Sequence, residues 1–501
     1  MIGRMSMYRV VLYGLVAVLV VALAMAASGT IAYDPLAILA NGAVVVVVTG
    51  LSGLAFAKVF RVKAQLESSA VTALILLFLF QPSFTVLSFE AVTLAGLIAS
   101  ASKYLLAVRG RHAFNPAAIA AVVMSIAVPS AFPGWWVGSP MLLPVVVVAA
   151  FIVLRRTHTL SLGVVFVVVA TVGVTLASMS TGSTFASALE SALTSTPIVF
   201  FAGFMLSEPL TLPPRRWQRL ALAVLVGVLF AVPFHVGPVY GTYELALVIG
   251  NLLAFAVGQR RGVRLSFVGR ESLTPTSWAL SFRPDAPVRF RAGQYLELSL
   301  PHAHVDVRGM RRTFSITSGA GAGDSLSIGL RTAVPSSSFK TALLDLAPGA
   351  RLSATLVGGD FVLPRNPAHP VLFVAGGIGI TPFISHLLAL RDERARDDRA
   401  RRDVVLVLAV SSAAEVPYLD TLAALGVRVV LASPDAPAPL PADWTWMHGE
   451  RLTAATLADL VPDADRRLAY LSGSTLFVSR LRPVLRGAGV RRIRTDAFSG
   501  Y

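Results

Sequence analysis

Residues 1–258 form a succession of apolar runs separated by short polar breaks, and ten runs can be delimited: 9–27, 35–58, 66–80, 87–107, 115–131, 140–154, 160–178, 197–211, 218–235 and 244–258. Several approach the ~20 residues that a helix needs to cross a bilayer. The runs at 140–154 and 197–211 are short and fit buried or broken helices. Nine further runs follow the first, so a cleavable signal peptide is not expected there. After about residue 262 the pattern changes to short alternating runs such as YLELSL (Tyr295–Leu300) and LSIGL (Leu326–Leu330), with turn residues between them. That is the signature of a small antiparallel barrel, here over 262–365. From 366 to 501, apolar strands alternate with helical segments: VLFVA then PFISHLLAL, VVLVLAV then a helix, VRVVLA, and AYLSG. This alternation predicts a parallel, doubly wound α/β domain. The expected architecture is therefore a multi-pass α-helical membrane bundle of about ten transmembrane helices over 1–258, then an antiparallel β-barrel, then an α/β domain.

Composition sharpens this division. Of 501 residues, 55% are hydrophobic and 14% charged, with a mean hydropathy of +0.70. Residues 1–258 hold 13 of the 43 Lys and Arg and 6 of the 27 Asp and Glu, leaving 30 and 21 for the rest. Alternate connections between runs carry the basic residues: Arg61 and Lys63, Arg109 and Arg111, Arg155 and Arg156, Arg215 and Arg216. The intervening connections, at 28–34, 81–86, 132–139, 179–196 and 236–243, have neither Lys nor Arg. By the positive-inside rule this predicts a multi-pass protein of the cell membrane with both termini cytoplasmic. The net charge of +16 does not imply nucleic acid, because no basic run is interleaved with aromatics; membrane lipid is the expected partner.

The chain has no cysteine, which excludes disulfides, thiolate zinc sites, Cys-ligated iron–sulfur clusters and c-type haem within it. None of the eight histidines (112, 158, 235, 302, 304, 369, 386, 448) falls in the middle of an apolar run, so a stacked bis-His haem pair is not expected, nor is a metal centre. Any electron carrier is then a flavin, a nicotinamide or a quinone.

Two stretches of the C-terminal half carry chemistry. In RRTFSITS (Arg311–Ser318), strand geometry puts Arg312 and Phe314 on one face, a cation for phosphate and a flat ring, with Thr313 between them and Ser315 beyond as a polar contact. PSSSFK (Pro335–Lys340) offers the Ser337 and Ser338 hydroxyls at a helix start suited to a pyrophosphate. In VLFVAGGIGITPFISHL (Val371–Leu387), a strand, a glycine turn and a helix follow one another: Gly376, Gly377 and Gly379 permit a tight turn, Thr381 suits a helix cap, and Pro382 suits its first turn. The ending in Thr-Pro separates it from the G-x-G-x-x-G fingerprint.

These motifs, in this order, resemble the ferredoxin–NADP reductase superfamily, as do AGQY (Ala292–Tyr295), GGDFVLP (Gly358–Pro364), YLSGS (Tyr470–Ser474) and DAFSGY (Asp496–Tyr501). The resemblance covers about 262–501. It implies FAD held by Arg312, Thr313, Phe314, Ser315, Ser337 and Ser338 in the barrel. It implies NADH or NADPH held by Gly376, Gly377, Gly379, Thr381, Ser411 and Gly473, with Phe498 or Tyr501 over the flavin. Thr381, Ser472 and Tyr501 are the residues it places at the reaction. Ser472 stands where that family has Cys. Ala413 and Ala414 stand where relatives selecting the 2′-phosphate often have Arg, which leans towards NADH.

In the apolar half, FNPAA (Phe114–Ala118) and FFAGFMLSEPLTLPP (Phe200–Pro214) resemble motifs of the ten-helix membrane subunits of the sodium-pumping NADH:quinone oxidoreductase and of the Rnf complex. That resemblance, over about 60–258, implies FMN or riboflavin in the bundle. Thr184, in SMSTGSTFAS (Ser178–Ser187), is the nearest candidate for covalent attachment, although the acidic residue and Ala of the family motif are missing. Among acids in the runs, Glu208 is the functional candidate, and Glu90 and Glu244 read as solvated helix ends. The expected function is oxidation of cytoplasmic NAD(P)H, with electrons passed through FAD to a membrane flavin, a quinone or an extracytoplasmic flavoprotein. Two other readings are a redox-driven Na⁺ or H⁺ pump powered by its own reductase, and a non-catalytic flavin-binding regulator.

Overall fold

A computed structural model describes residues 7–62, 64–108, 111–236, 239–257, 262–306, 309–321, 324–397, 402–437, 439–448 and 452–498. The chain divides into two units at Gly262–Val263. The N-terminal unit is helical: α1 (Met7–Ala27), α2 (Pro35–Val59), α3 (Leu66–Leu79), α4 (Val86–Leu105), α5 (Pro116–Ala127), α6 (Leu143–Arg156), α7 (Leu160–Ser180), α8 (Phe185–Thr194), α9 (Ile198–Leu206), α10 (Arg216–Ala231) and α11 (Tyr243–Val257). Two-residue ribbons, β1 (Ala107–Val108) with β2 (Arg111–His112) and β3 (His235–Val236) with β4 (Val239–Tyr240), lie in two of the connections.

The expected ten crossings are only partly matched. Among the described residues, α1, α2, α4 and α7 are long and apolar enough to cross a membrane, and α8 with α9 makes a pair bent by 46° that would be a fifth; α3, α5 and α11 are apolar but shorter. Proline explains much of the shortening. The residue before a proline is driven out of the helical region, and α5 stops at Ala127 ahead of Val128–Pro129. Segment 197–211 begins at Pro197, winds as a π-helix from Phe201 to Leu206, and is ended by Pro209. Close helix contacts rest on small residues, as is usual where helices cannot gain from burying apolar surface against lipid. A Cβ on Gly203 would lie 2.4 Å from that of Ala150, and one on Gly173 2.5 Å from that of Ala231.

In the C-terminal unit, β5 (Val263–Thr274), β6 (Ser277–Pro284), β7 (Tyr295–Ser299), β8 (Arg311–Ser315), β9 (Leu326–Arg331) and β10 (Arg351–Gly358) form an antiparallel sheet in the order β8-β7-β10-β5-β6-β9. The sheet is not a closed barrel. Its edge strands meet at one bridge, Ile316 with Ile328, before Ser318 leads into a Gly/Ala-rich turn. Helix α12 (Ser338–Leu344) covers one end, with Phe339 and Leu343 in the core.

The remainder is a parallel sheet, β11 (Val371–Gly376), β12 (Val404–Ala409), β13 (Arg428–Ser433), β14 (Trp444–His448), β15 (Leu468–Ser474) and β16 (Ile493–Phe498), in the order β14-β13-β12-β11-β15-β16. Helices α13 (Thr381–Arg396), α14 (Leu419–Ala424), α15 (Ala454–Leu460) and α16 (Thr475–Gly487) connect the strands. Both faces are buried, which is why β11 and β12 read as unbroken apolar runs. The chain runs outward from β11 to β14 and returns to β15 on the other side of β11. The topological switch point therefore lies at the C-terminal ends of β11 and β15, where open α/β sheets bind ligands.

Candidate functional site

The glycine turn falls at that switch point, and its three glycines divide the work. Gly377 takes a left-handed φ of +52° and turns the chain out of β11. A Cβ on Gly379 would lie 2.5 Å from the carbonyl of Ser472, so this glycine lets the turn close on β15. Gly376 sits under the Phe477 ring, 2.9 Å from where its own Cβ would be. Thr381 does not cap α13 as expected. It is already the first helical residue, and its buried hydroxyl donates to the carbonyl of Ile378 at 3.0 Å.

A cavity of about 320 Å³ opens on this turn, lined by Gly376, Gly377, Ser411, Ser474 and Phe477 from the α/β sheet and by Ser277 and Arg331 from the antiparallel sheet. Arg331 and Glu415, also on its wall, are absent from the sequence-based candidates. Glu415 accepts from the hydroxyls of Thr274 (2.8 Å) and Thr276 (2.7 Å), and Arg331 Nε donates to the Thr276 hydroxyl at 3.1 Å. The alternation in LSIGLR held a signal for Arg331, since it puts Ser327, Gly329 and Arg331 on the face opposite the core. Gly329 lets β9 pack closely on the start of α13; a Cβ there would lie 2.5 Å from Thr381 Cγ2.

On the other side of β11, register places Ala375 beside Ser472, Ser472 beside Asp496, and Ser474 beside Phe498. Ser472 is fully buried, and its Oγ has no hydrogen-bond partner among the described residues. The Ser315 side chain lies near enough to the Asp496 carboxyl to favour its ionised form, which brings the R-x-F-S strand close to the edge of the parallel sheet. Burial pushes the Asp496 carboxyl up to about 6, an effect that the nearby Ser315 hydroxyl partly offsets. Asp496 opens the DAFSGY motif, yet it too is absent from the sequence-based candidates.

The flavin candidates are only partly as expected. Arg312 pairs with Asp306 at 3.2 Å and lies over the Phe339 ring, 5.2 Å from its centroid. Phe314 does not share an open face with Arg312. It is buried in the sheet's own core, 6.1 Å from Phe339, while Thr313 is exposed. Ser337 caps α12 by accepting from Lys340 N at 3.3 Å; Ser338 Oγ accepts from Asp306 N and bonds His302 Nε2, both at 3.0 Å. Gly293 of AGQY has a φ of +83°, and a Cβ there would strike the Phe361 carbonyl and His386. His386 is fully enclosed and pushed down to about 3 by burial, so it is neutral, with Nε2–H donating to the Phe361 carbonyl at 2.8 Å. Tyr501 lies outside the described residues.

In the helical unit, Thr184 is exposed and caps α8, accepting from Ser187 N at 3.3 Å. Asn115 caps α5, with Pro116 in the first turn as expected. Its Nδ2 donates to Glu208 Oε2 at 3.0 Å, and its backbone N–H donates to Asn251 Oδ1 at 2.9 Å. Lys103 donates to the Ser68 carbonyl at 2.9 Å and faces Glu208 within Coulombic range. Ser68, Asn115 and Glu208 line one cavity of about 40 Å³, roughly the room needed by a few waters. Glu90 is exposed, as a solvated helix end should be. Glu244 is not: it is 2% exposed and accepts from Trp135 Nε1 at 2.6 Å, because the connection 128–142 folds its tryptophan over the start of α11.

A glycine turn at the switch point of a doubly wound sheet, facing a six-stranded antiparallel sheet that carries R-x-F-S, gives the C-terminal half the architecture of FAD- and NAD(P)-binding oxidoreductases of the ferredoxin–NADP reductase kind. Comparison with known proteins agrees for this half. The chain is 25% identical over 243 residues to the stachydrine N-demethylase reductase subunit Stc4 of Rhizobium meliloti, covering 47% of this chain and 66% of that one. It is 30% identical over 255 residues to an NADPH oxidoreductase of Mycobacterium tuberculosis, covering 49% and 63%. Among solved structures, the Amycolatopsis cytochrome P450 reductase GcoB matches with 25% identity and a TM-score of 0.40, over 48% of this chain and 70% of that one. No family model matches the chain. The chain spans about two thirds or less of the length of the curated relatives it matches.

Proposed function

We propose that the chain is a membrane-bound NAD(P)H-oxidising flavoprotein, which takes electrons from cytoplasmic NAD(P)H through FAD and delivers them into or across the membrane, to a membrane flavin, a quinone or an extracytoplasmic flavoprotein. The observation that carries this reading is the meeting of two motifs at one switch point: the Gly376–Gly379 turn with its 320 Å³ cavity, and Ser315 beside Asp496. The residues suit the groups. Gly377 and Arg331 present backbone and positive charge for a pyrophosphate, and the unpartnered Ser472 hydroxyl suits an amide at the end of β15. Flavin held against the R-x-F-S strand supplies hydride acceptance from NAD(P)H and release of electrons one at a time. The protein's part is placement. Gly379 holds the turn against β15, Glu415 ties the turn before β6 to the α/β sheet, and Asp496 holds a proton beside Ser315 near pH 6.

The test is the absorption spectrum of the purified full chain under anaerobic conditions. A flavin spectrum that bleaches within seconds of adding NADH or NADPH is expected. A flavin that stays oxidised with both would overturn the reading in favour of a non-catalytic flavin-binding regulator. Acid precipitation then separates noncovalent FAD from any flavin retained by the polypeptide at Thr184.

The Asn115–Glu208 hydrogen bond beside a water-sized cavity favours a second reading, in which the helical unit couples electron flow to Na⁺ or H⁺ movement. In sealed proteoliposomes, NADH oxidation would then build a gradient that Glu208→Gln abolishes. Electron delivery without any gradient excludes the pump.

A further inference from the structure

We infer that Asp435 makes this reductase selective for NADH over NADPH; the inference rests on the function proposed above. If the nicotinamide end of the nucleotide lies towards Ser472, Asp496 and Ser315, its adenosine end must run the other way from the Gly376–Gly377 turn, over the ends of β12 and β13. Neighbouring strands are about 4.8 Å apart, so successive strand ends step along the length of a bound dinucleotide. Ser411, at the end of β12, lines the cavity, and Asp435 stands just beyond the end of β13.

The local hydrogen bonds decide what the adenosine ribose would meet. Asp435 Oδ1 accepts from the Ala413 N–H at 2.9 Å, and Oδ2 accepts from the Ser412 hydroxyl at 3.0 Å. Those two donors would otherwise serve a phosphate at this loop, and the carboxylate has taken both. The same bonds, Ala413 first, hold Asp435 below its usual range, so it is ionised at neutral pH. No Lys or Arg occurs between Ser411 and Val427, nor from Ala432 to Pro437, to neutralise a second anion. A 2′-phosphate brings about two negative charges and meets a fixed carboxylate. A 2′-hydroxyl instead finds an acceptor, because a carboxylate has about four lone-pair sites and only two are engaged. An acid on the ribose hydroxyl is the general device for choosing NAD, and an Arg the device for NADP.

The experiment uses the full chain in detergent, with ferricyanide as artificial acceptor, and compares kcat/KM for NADH and NADPH in the wild type and in Asp435→Ser. Calorimetric binding of ADP-ribose and of its 2′-phosphate gives a readout independent of turnover. Because like-charge juxtaposition is costly, the wild type is expected to favour NADH and ADP-ribose by at least about tenfold. Asp435→Ser should raise kcat/KM for NADPH and binding of the 2′-phosphate, and lower kcat/KM for NADH and binding of ADP-ribose several-fold, with flavin content unchanged. A wild type with no preference or preferring NADPH, or an Asp435→Ser variant with an unchanged ratio, overturns the inference. Oxidation of neither nucleotide would instead overturn the reductase reading on which it rests.

Discussion

Asp496 is the residue whose chemistry depends most on its setting. An exposed aspartate titrates near 3.9, whereas burial raises this one to about 6, with the Ser315 hydroxyl pulling the other way. The folded protein therefore binds this proton more tightly than the unfolded chain between those two values. Stability from this group is complete below about pH 4 and is lost as the pH rises through 6. A shift of that size corresponds to at most about 3 kcal/mol, most of it lost between pH 4 and pH 7.5. Asn does not titrate, so Asp496→Asn should gain on the wild type as the pH rises across this window. Thermal unfolding of the two proteins at pH 4.5, 6 and 7.5 checks it, and a stability difference independent of pH would show that Asp496 does not titrate there. The sequence exposed some site residues and hid others for a simple reason. Gly376, Gly377 and Gly379 announce themselves because their roles are local, in one strand–turn–helix. Arg331, Glu415 and Asp496 acquire theirs from partners far along the chain, such as Thr276 and Ser315.

The parallel sheet keeps its chemistry and its mechanical support at opposite ends. The candidate site occupies the C-terminal ends of the strands. At the N-terminal ends, Arg467, 5% exposed, binds Asp463 at 2.8 Å as well as Asp403 and the Val371 carbonyl. It thereby ties the starts of β11 and β12 to the segment that enters β15. Breaking a buried pair leaves polar groups without partners and is strongly destabilising. Because both carboxylates are partly exposed, a loss of about 2–3 kcal/mol is expected for Arg467→Ala rather than the full cost of a buried charge. Calorimetric melting should show the drop, while kcat/KM for NADH below the melting range stays within about twofold, the site being at the other end. A large loss of kcat/KM at full flavin occupancy would refute this separation. Elements were legible where periodicity was strong, as in β11, β12 and the long helices α1, α2 and α7. Sheet closure was not, because it depends on whether the chain after β8 pairs with β9, and among the described residues it does so at one isolated bridge, Ile316–Ile328. Helix length was overestimated because hydropathy runs through the Pro129 and Pro209 breaks that backbone geometry does not.

At the scale of the whole molecule the proposed membrane placement makes a prediction about sidedness, because the parity of the crossings fixes which side each connection faces. If only α1, α2, α4 and α7 cross, four crossings precede Ser183, and this residue lies on the same side as the N-terminus. Counting the bent α8–α9 pair as a fifth crossing then leaves the reductase half on the opposite side from the N-terminus. Ten crossings, with the shorter helices included, put seven before Ser183, which is then outside, and return the reductase half to the cytoplasm. The basic residues favour the second arrangement, since the 179–196 connection lacks Lys and Arg while those at Arg61 and at Arg155–Arg156 carry them. Short helices such as α3 and α5 can still traverse where the bilayer thins or neighbouring helices cover their ends. The chain has no cysteine, so each introduced thiol reports one position. Gln65→Cys, Ser183→Cys and Ser479→Cys all fall at exposed residues. With a membrane-impermeant maleimide, intact cells should label Ser183→Cys alone, and permeabilised cells all three. Protection of Ser183→Cys in intact cells would establish the lower count. Labelling of Ser479→Cys in intact cells would place the nucleotide cavity away from cytoplasmic NADH, and the proposed direction of electron flow would have to be abandoned.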